Sequence, residues 1–311
     1  MPGRLSRRRF LEQTAALGAA VVWTPAFRVT AADAAAERPP GFPAGIPLYR
    51  QAFENWARDI RVDGLWTCAP GSAADVVALA NWAVAHGYRL RPRGMMHNWS
   101  PLTVTPGTTR DARVVLVDTT QHLTAMRVSP GTVTVQAGAT MDVLLAFLEQ
   151  HGYGLTSVPA PGDVTVGGVL AIGGHGAALP AAGERHADGH AFGTVSNLVL
   201  ALEAVVWSPS RRRYVLRTYP RDHPACKALL THLGRAFVTE ATLRVAPNDN
   251  VRCQSHVDIP VSELFAPPGS GASRTFAGYL DAAGRVEAIW YAFTDHPWLK
   301  VWSVSPTQPP G

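Results

Sequence analysis

The chain has 311 residues, of which 47% are hydrophobic and only 16% charged, ample for one large core or for a full domain plus part of a second. Its formal net charge of +5 is concentrated at one end: Arg4, Arg7, Arg8, Arg9 and Arg28 stand against Glu12 and Asp33 within the first 36 residues. The remainder is close to neutral, which removes support for a nucleic-acid-binding function, and 28 Gly with 25 Pro speak against a helical bundle.

Ser6-Arg7-Arg8-Arg9-Phe10-Leu11 matches the twin-arginine export pattern. A mild apolar stretch from Thr14 to Val22 follows, and the Ala-rich sequence at 31–36 offers small residues for cleavage. The stretch is too short and weak for a permanent membrane span. Residues 1–36 are therefore expected to be a signal peptide, with the mature protein periplasmic or secreted. Pro39 to Pro47 is a Pro/Gly-rich leading segment. Ser72 then caps a predicted helix with Asp75 in its first turn, an apolar face of Val76, Ala80, Ala83 and Val84, and Gly87 as its stop. Strands are predicted at Tyr88–Arg91, Val114–Asp118, Thr124–Val128 and Thr132–Ala137, and a second helix from Met141 to His151. A long Gly-rich region, 159–193, precedes a strand from Leu198 to Trp207, and helix and strand patterns recur from Asp222 to Val245. Beyond Pro247-Asn248 come short aromatic-rich strands, Glu287–Phe293 and Trp298–Val304. Strands with few helices and no regular βαβ alternation predict an α+β fold. The expected domains are 37–247 and, incomplete, 248–311. Cys68, Cys226 and Cys253 fit no metal spacing; export permits one disulfide that nothing in the sequence selects, and buried free thiols are the expectation.

Two Gly-containing segments carry the chemistry. Arg93-Gly94-Met95-Met96-His97-Asn98-Trp99-Ser100 leaves a strand without entering an obvious helix, and such a turn can offer backbone N–H groups to phosphate oxygens, with Arg93 adding charge-assisted bonds. A lone histidine in a turn, such as His97, is by itself most often a surface residue. The second segment, Pro161-Gly162 through Gly167-Gly168 to Gly173-Gly174-His175-Gly176, permits close approach of backbone to a ligand. It is neither a dinucleotide fingerprint nor a P-loop, and alone it fits a structural loop equally well. In Glu287-Ala288-Ile289-Trp290-Tyr291-Ala292-Phe293 a period of two sets Glu287 beside Ile289, Tyr291 and Phe293. Those neighbours would disfavour its charge and suit it as a base; a solvent-facing Glu at a strand edge fits the same pattern.

Together, the Arg93-Gly94 turn, the second Gly-rich segment and Asn197-Leu198-Val199 resemble the FAD domain of the vanillyl-alcohol oxidase superfamily. The run Arg91-Pro92-Arg93 to Thr103-Val104 resembles the flavinylation segment of its covalent class, the bacterial cholesterol oxidases. His175-Gly176-Ala177-Ala178-Leu179-Pro180, Arg252-Cys253-Gln254-Ser255 and Glu287-Ala288-Ile289-Trp290-Tyr291 continue the likeness. The resemblance implies that the first loop wraps the FAD pyrophosphate and the second segment lies along flavin and adenosine. It assigns to FAD the residues Arg93 to Ser100 (Arg93, Gly94, Met95, Met96, His97, Asn98, Trp99 and Ser100), Gly162, Gly167, Gly168, His175 and Gly176, and Asn197 and Val199. His97 becomes the covalent flavin ligand, through the 8α-methyl carbon; His175 fits a flavin contact or a structural role equally. Glu287 matches a glutamate that lies over the flavin near the substrate hydroxyl.

The implied reaction is oxidation of a sterol 3β-hydroxyl to the 4-en-3-one, with O2 reduced to hydrogen peroxide and a sterol as the partner molecule. No nucleic acid and no stable membrane span are expected, and the protein is expected to be a monomer. In the family a second active-site Glu, an Arg and a covering C-terminal segment follow on later strands. None is found before Gly311, so the sequence reads as truncated in its substrate domain. A related oxidase of a sugar, lactone or other secondary alcohol, and an inactive flavin-binding remnant, are the alternatives.

Overall fold

The computed structural model describes residues 38–184 and 188–305; the export segment at 1–36 lies outside them. The described residues from Pro39 onward form one compact unit. Strands β1 (Leu48–Glu54) and β2 (Arg61–Cys68) are antiparallel; helix α1 (Ala73–His86) crosses over to β3 (Arg89–Arg93), and β4 (Val114–Asp118) lies parallel between β2 and β3. The unbroken apolar run Val114-Val115-Leu116-Val117 suits such a strand, covered on both faces. A single βαβ unit is thus present where no regular alternation is legible. Ser72 Oγ accepts from Asp75 N at 3.2 Å, and Gly87 closes α1 at φ 69°, donating to Ala83 O. The buried stripe is Val76, Leu79, Trp82 and Ala83, whereas Val84 is 56% exposed: the face is turned from the predicted one so that Trp82 packs inward.

The second sheet is antiparallel, in the order β5 (Met126–Ser129), β6 (Thr132–Gln136), β10 (Phe237–Arg244), β8 (Val199–Ser208) and β9 (Arg213–Pro220). Between β6 and β8 the chain forms α2 (Met141–Gln150), β7 (Tyr153–Gly154), α3 (Val166–Ile172) and a 3-10 turn (Val195–Leu198). A short helix, α4 (Pro224–Lys227), precedes β10, and β11 (Ala246–Pro247) pairs with β7. The largest apolar core lies between this sheet and helices α2 and α3, with Leu144, Leu148, Val166, Leu170, Leu202 and Leu243 at its centre. Helix α3 falls inside the segment read as a Gly-rich loop. Thr165 Oγ1 accepts from Gly168 N at 3.2 Å, and Val166, Val169 and Leu170 are buried, so capping and burial outweigh two glycines in the first turn.

The third sheet is antiparallel, in the order β12 (Asn250–His256), β14 (Trp298–Ser305), β13 (Arg285–Ile289). Helices α5 (Val261–Leu264) and α6 (Phe276–Ala283) precede β13, and Ile259, Leu264, Val286, Leu299 and Val301 form a separate small core. The strand expected to run from Glu287 to Phe293 stops at Ile289. A turn replaces its second half: Thr294 N donates to Tyr291 O at 3.2 Å and Trp290 Nε1 to Thr294 O at 2.9 Å. Among the cysteines, Cys68 and Cys226 are buried and free, but Cys253 is exposed on β12. No helix among the described residues is long and apolar enough to cross a membrane.

Candidate functional site

The loop after β3 leaves the carboxyl edge of the parallel strands, the usual ligand-facing edge of such sheets. Its stem is fixed by Thr119, whose N and Oγ1 both donate to Arg93 O at 3.1 Å. The Arg93 guanidinium meets Asp118 at 2.6 Å, in a pair whose side chains are 11% and 5% exposed. Asp118 also accepts from Thr120 N and Oγ1 and from Gln121 Nε2. The charge of Arg93, expected on a pyrophosphate, is therefore met inside the protein; its Nε is buried without a hydrogen-bond partner.

Beyond Arg93, Met96 takes a left-handed backbone (φ 56°), unusual for a side chain with a Cβ, and packs against the core of Phe53, Leu65 and Leu116. The neighbouring His97 is half-buried and stacks on Trp56, with ring centroids 4.2 Å apart and planes at 26°. Trp56 belongs to the turn between β1 and β2, and that turn grips the loop twice more. Trp56 N donates to Asn98 O at 3.2 Å, and the buried Asn55 donates from Nδ2 to Trp99 O at 3.3 Å. Asn55 is itself fixed, because its Oδ1 accepts from Ile60 N and its Nδ2 donates to Asp59.

A cavity of about 560 Å³ opens between this loop, α3 and the segment leading into β10. It is lined by Arg93, Gly94, Met95, Met96, His97 and Asn98 of the first segment and by Gly167, Gly168 and His175 of the second. The two segments meet where a Cβ on Gly94 would stand 2.4 Å from Thr165 Oγ1, so only glycine allows that approach. The lining also includes Thr165, Ile172, Gly173 and Gly174, and the turn His232-Leu233-Gly234. Only the Gly173-Gly174 pair had a sequence signal; the 232–234 turn lies in a stretch read as helix and strand.

Six residues assigned to the cofactor by resemblance lie off this lining. Trp99 and Ser100 point to solvent. Gly162 packs on α2, its O accepting from Asp142 N at 2.9 Å, and Gly176 fits so tightly that a Cβ would come 2.2 Å from Val158 O. Asn197 is exposed and donates to Phe192 O, while Val199 is a core residue of β8. Glu287 is also off the lining: on β13 it pairs with Lys300 of β14 at 3.3 Å, and Tyr291 and Phe293, expected on its face, are exposed beyond the strand's end. Among the described residues, Tyr291 and Phe293 do not join Ile289 on the face of Glu287.

A model of the FAD binding domain matches residues 66–205, and a model of the cholesterol oxidase substrate-binding region matches 250–311. A solved structure of a solvent-stable cholesterol oxidase is 56% identical with a TM-score of 0.85, covering 88% of this chain and 51% of that one. Over most of its length the chain is similar to cholesterol oxidases, and it carries matches to both an FAD-binding and a cholesterol oxidase substrate-binding region. A histidine-to-alanine mutant of cholesterol oxidase from Brevibacterium sterolicum is similar at 47% identity, with a TM-score of 0.83 and coverage of 88% and 51%. Among curated proteins, the probable L-gulonolactone oxidase 6 of Arabidopsis thaliana is 26% identical over 181 residues, 57% of this chain and 28% of that protein. The chain spans about half the length of the cholesterol oxidase structures it matches. Its fold is an FAD-binding domain followed by part of an antiparallel substrate-binding domain. The cavity residues fit FAD: Gly94 allows close packing against Thr165, and His232 brings a buried nitrogen with no partner to the wall.

Proposed function

We propose that the chain holds FAD covalently through His97 and serves the oxidation of a sterol 3β-hydroxyl to the 4-en-3-one, with O2 reduced to hydrogen peroxide. The observation that carries the reading is the His97 ring, set at the cavity and held there by Trp56. The sterol substrate is supported by the match to a cholesterol oxidase substrate-binding region at 250–311. FAD, when bound, supplies the hydride acceptor. The protein's part is to fix His97 so that one ring nitrogen is spent on attachment, to close the loop stem through Arg93 and Asp118, and to wall the ring with apolar side chains such as Met96 and Ile172. Protein precipitated in acid is expected to stay yellow, with the mass of FAD on a peptide containing His97, and His97→Ala is expected to release the flavin. Complete release of flavin from the wild type in acid would overturn the covalent assignment.

A sugar or lactone substrate is the second reading, supported by the similarity to a probable L-gulonolactone oxidase. Sterol-driven against lactone-driven peroxide production separates the two. The export reading is carried by Ser6-Arg7-Arg8-Arg9-Phe10-Leu11: Arg7→Lys with Arg8→Lys is expected to hold the precursor in the cytoplasm, and unchanged secretion would refute it.

A further inference from the structure

His232 lines the cavity yet is only 8% exposed. Its Nδ1 accepts from Ala236 N at 3.4 Å, which leaves the proton of the neutral ring on Nε2. That Nε2 is buried and has no hydrogen-bond partner. A buried donor left unmade is costly and uncommon, and a histidine kept only for packing would be expected to have both nitrogens satisfied. The backbone that carries the ring is also held firmly. Leu233, next to it, takes a left-handed backbone (φ 53°) and donates from N to Ala171 O of α3 at 2.8 Å, while His232 O accepts from Arg235 N at 2.9 Å. A leucine in that conformation persists only where its surroundings fix it, and such positions gather at ligand sites.

We propose that His232 is a cofactor-binding residue whose Nε2–H donates a hydrogen bond to an uncharged acceptor on the riboflavin half of FAD. The proposal rests on the reading that this cavity holds FAD. Burial lowers the pKa of His232 to about 4, so the ring is neutral at physiological pH. A neutral donor in a desolvated wall suits a carbonyl oxygen, ring nitrogen or hydroxyl; a phosphate would favour the protonated ring instead. His97 and His232 line one cavity, so a flavin joined at His97 lies in the space that His232 borders.

The test uses the full chain carrying His97→Ala, in which any bound flavin exchanges freely, titrated separately with FAD, riboflavin and ADP. Adding His232→Leu is expected to weaken FAD and riboflavin about tenfold or more and to leave ADP unchanged. His232→Gln, which keeps a donor at similar reach, is expected to stay within about threefold of the parent for riboflavin. Far-UV circular dichroism and the melting temperature check that each variant folds, and the Gln variant alone decides the matter if the Leu variant does not. Unchanged riboflavin affinity in His232→Leu, an effect on ADP alone, or a Gln variant as weak as complete loss of binding would overturn the proposal while leaving the FAD reading intact. Failure of the parent to bind any flavin would bring down both.

Discussion

Trp56 and Asn55 act on His97 from a turn far away in sequence, and what they do is restrict it. An imidazole on a loop that follows a left-handed Met96 has several orientations open to it; stacking at 4.2 Å selects one ring plane, and the bonds to Asn98 O and Trp99 O fix the backbone that follows. Restricting a reacting group to the productive geometry is worth far more to a bond-forming step than to reversible binding. Trp56 is not on the cavity wall. Trp56→Ala is therefore expected to lower the acid-stable fraction of flavin several-fold while reversible FAD affinity changes little, and Trp56→Phe, which keeps a stacking face, is expected to recover most of it. An acid-stable fraction equal to wild type in Trp56→Ala would show that the stack has no part in attachment. The two quantities are separable by counting flavin in the acid pellet against flavin retained before acid.

At the scale of elements, a polar side chain on α1 ties the helix to the second sheet, beside the apolar packing of Val76 on Val205. Asn81 donates from Nδ2 to Tyr214 O at 3.0 Å and accepts at Oδ1 from Tyr214 N at 2.8 Å, serving both backbone groups of one residue on the edge strand β9. Asn81→Ala leaves a donor and an acceptor without partners in a half-buried seam, and a loss of about 1–3 kcal/mol is expected. A urea titration should show a lower midpoint with unchanged slope; a shift within error would mean that water replaces the side chain. This seam was not legible in the sequence, although α1 itself was, because Ser72 and Gly87 are local signals and a pairing to Tyr214 is not. The same division holds elsewhere. The strand Val114–Asp118 is readable from its own residues, whereas α3 hides behind Val166-Gly167-Gly168, whose helix depends on a cap and on a core supplied from elsewhere. Alternation continues from Glu287 to Phe293 on paper, but the Trp290–Thr294 turn ends the strand at Ile289. Of the site, the His97 loop could be found by its likeness to a flavinylation segment. Trp56 and His232 could not, since each is an ordinary residue until folding brings it to the cavity.

Among the described residues, burial shifts His232 down and Cys68, Cys226 and the half-buried Tyr49 up, and each shift ties stability to pH. Burial lowers the His232 pKa from 6.5 to about 4. As pH falls below 6.5 the unfolded chain takes up a proton that the folded chain refuses, so stability is lost between about 6.5 and 4 and is unaffected by this group above that window. At about 1.4 kcal/mol per pKa unit the loss is on the order of 3 kcal/mol. On the alkaline side, burial and then the charge of Asp118 raise Cys68 from 9.0 to about 12 and Tyr49 from 10.0 to about 12. There the unfolded chain releases protons first, so stability falls as pH rises through 9 towards 12. Unfolding by urea across pH 4 to 10 is thus expected to give a plateau between about 6.5 and 9, with a decline on each side. The acid decline can be traced to one residue. Glu263, held low by its bond to Arg274, loses its contribution only once pH falls through the carboxylate range, from 4.5 downward, so a decline beginning near 6.5 has a different source. His232→Leu is expected to extend the plateau down to about pH 5, whatever its own effect on stability at pH 7. A His232→Leu profile that still falls from pH 6.5 would remove His232 as the origin of the acid decline, and with it the physical reason for treating the ring as neutral in the cavity wall.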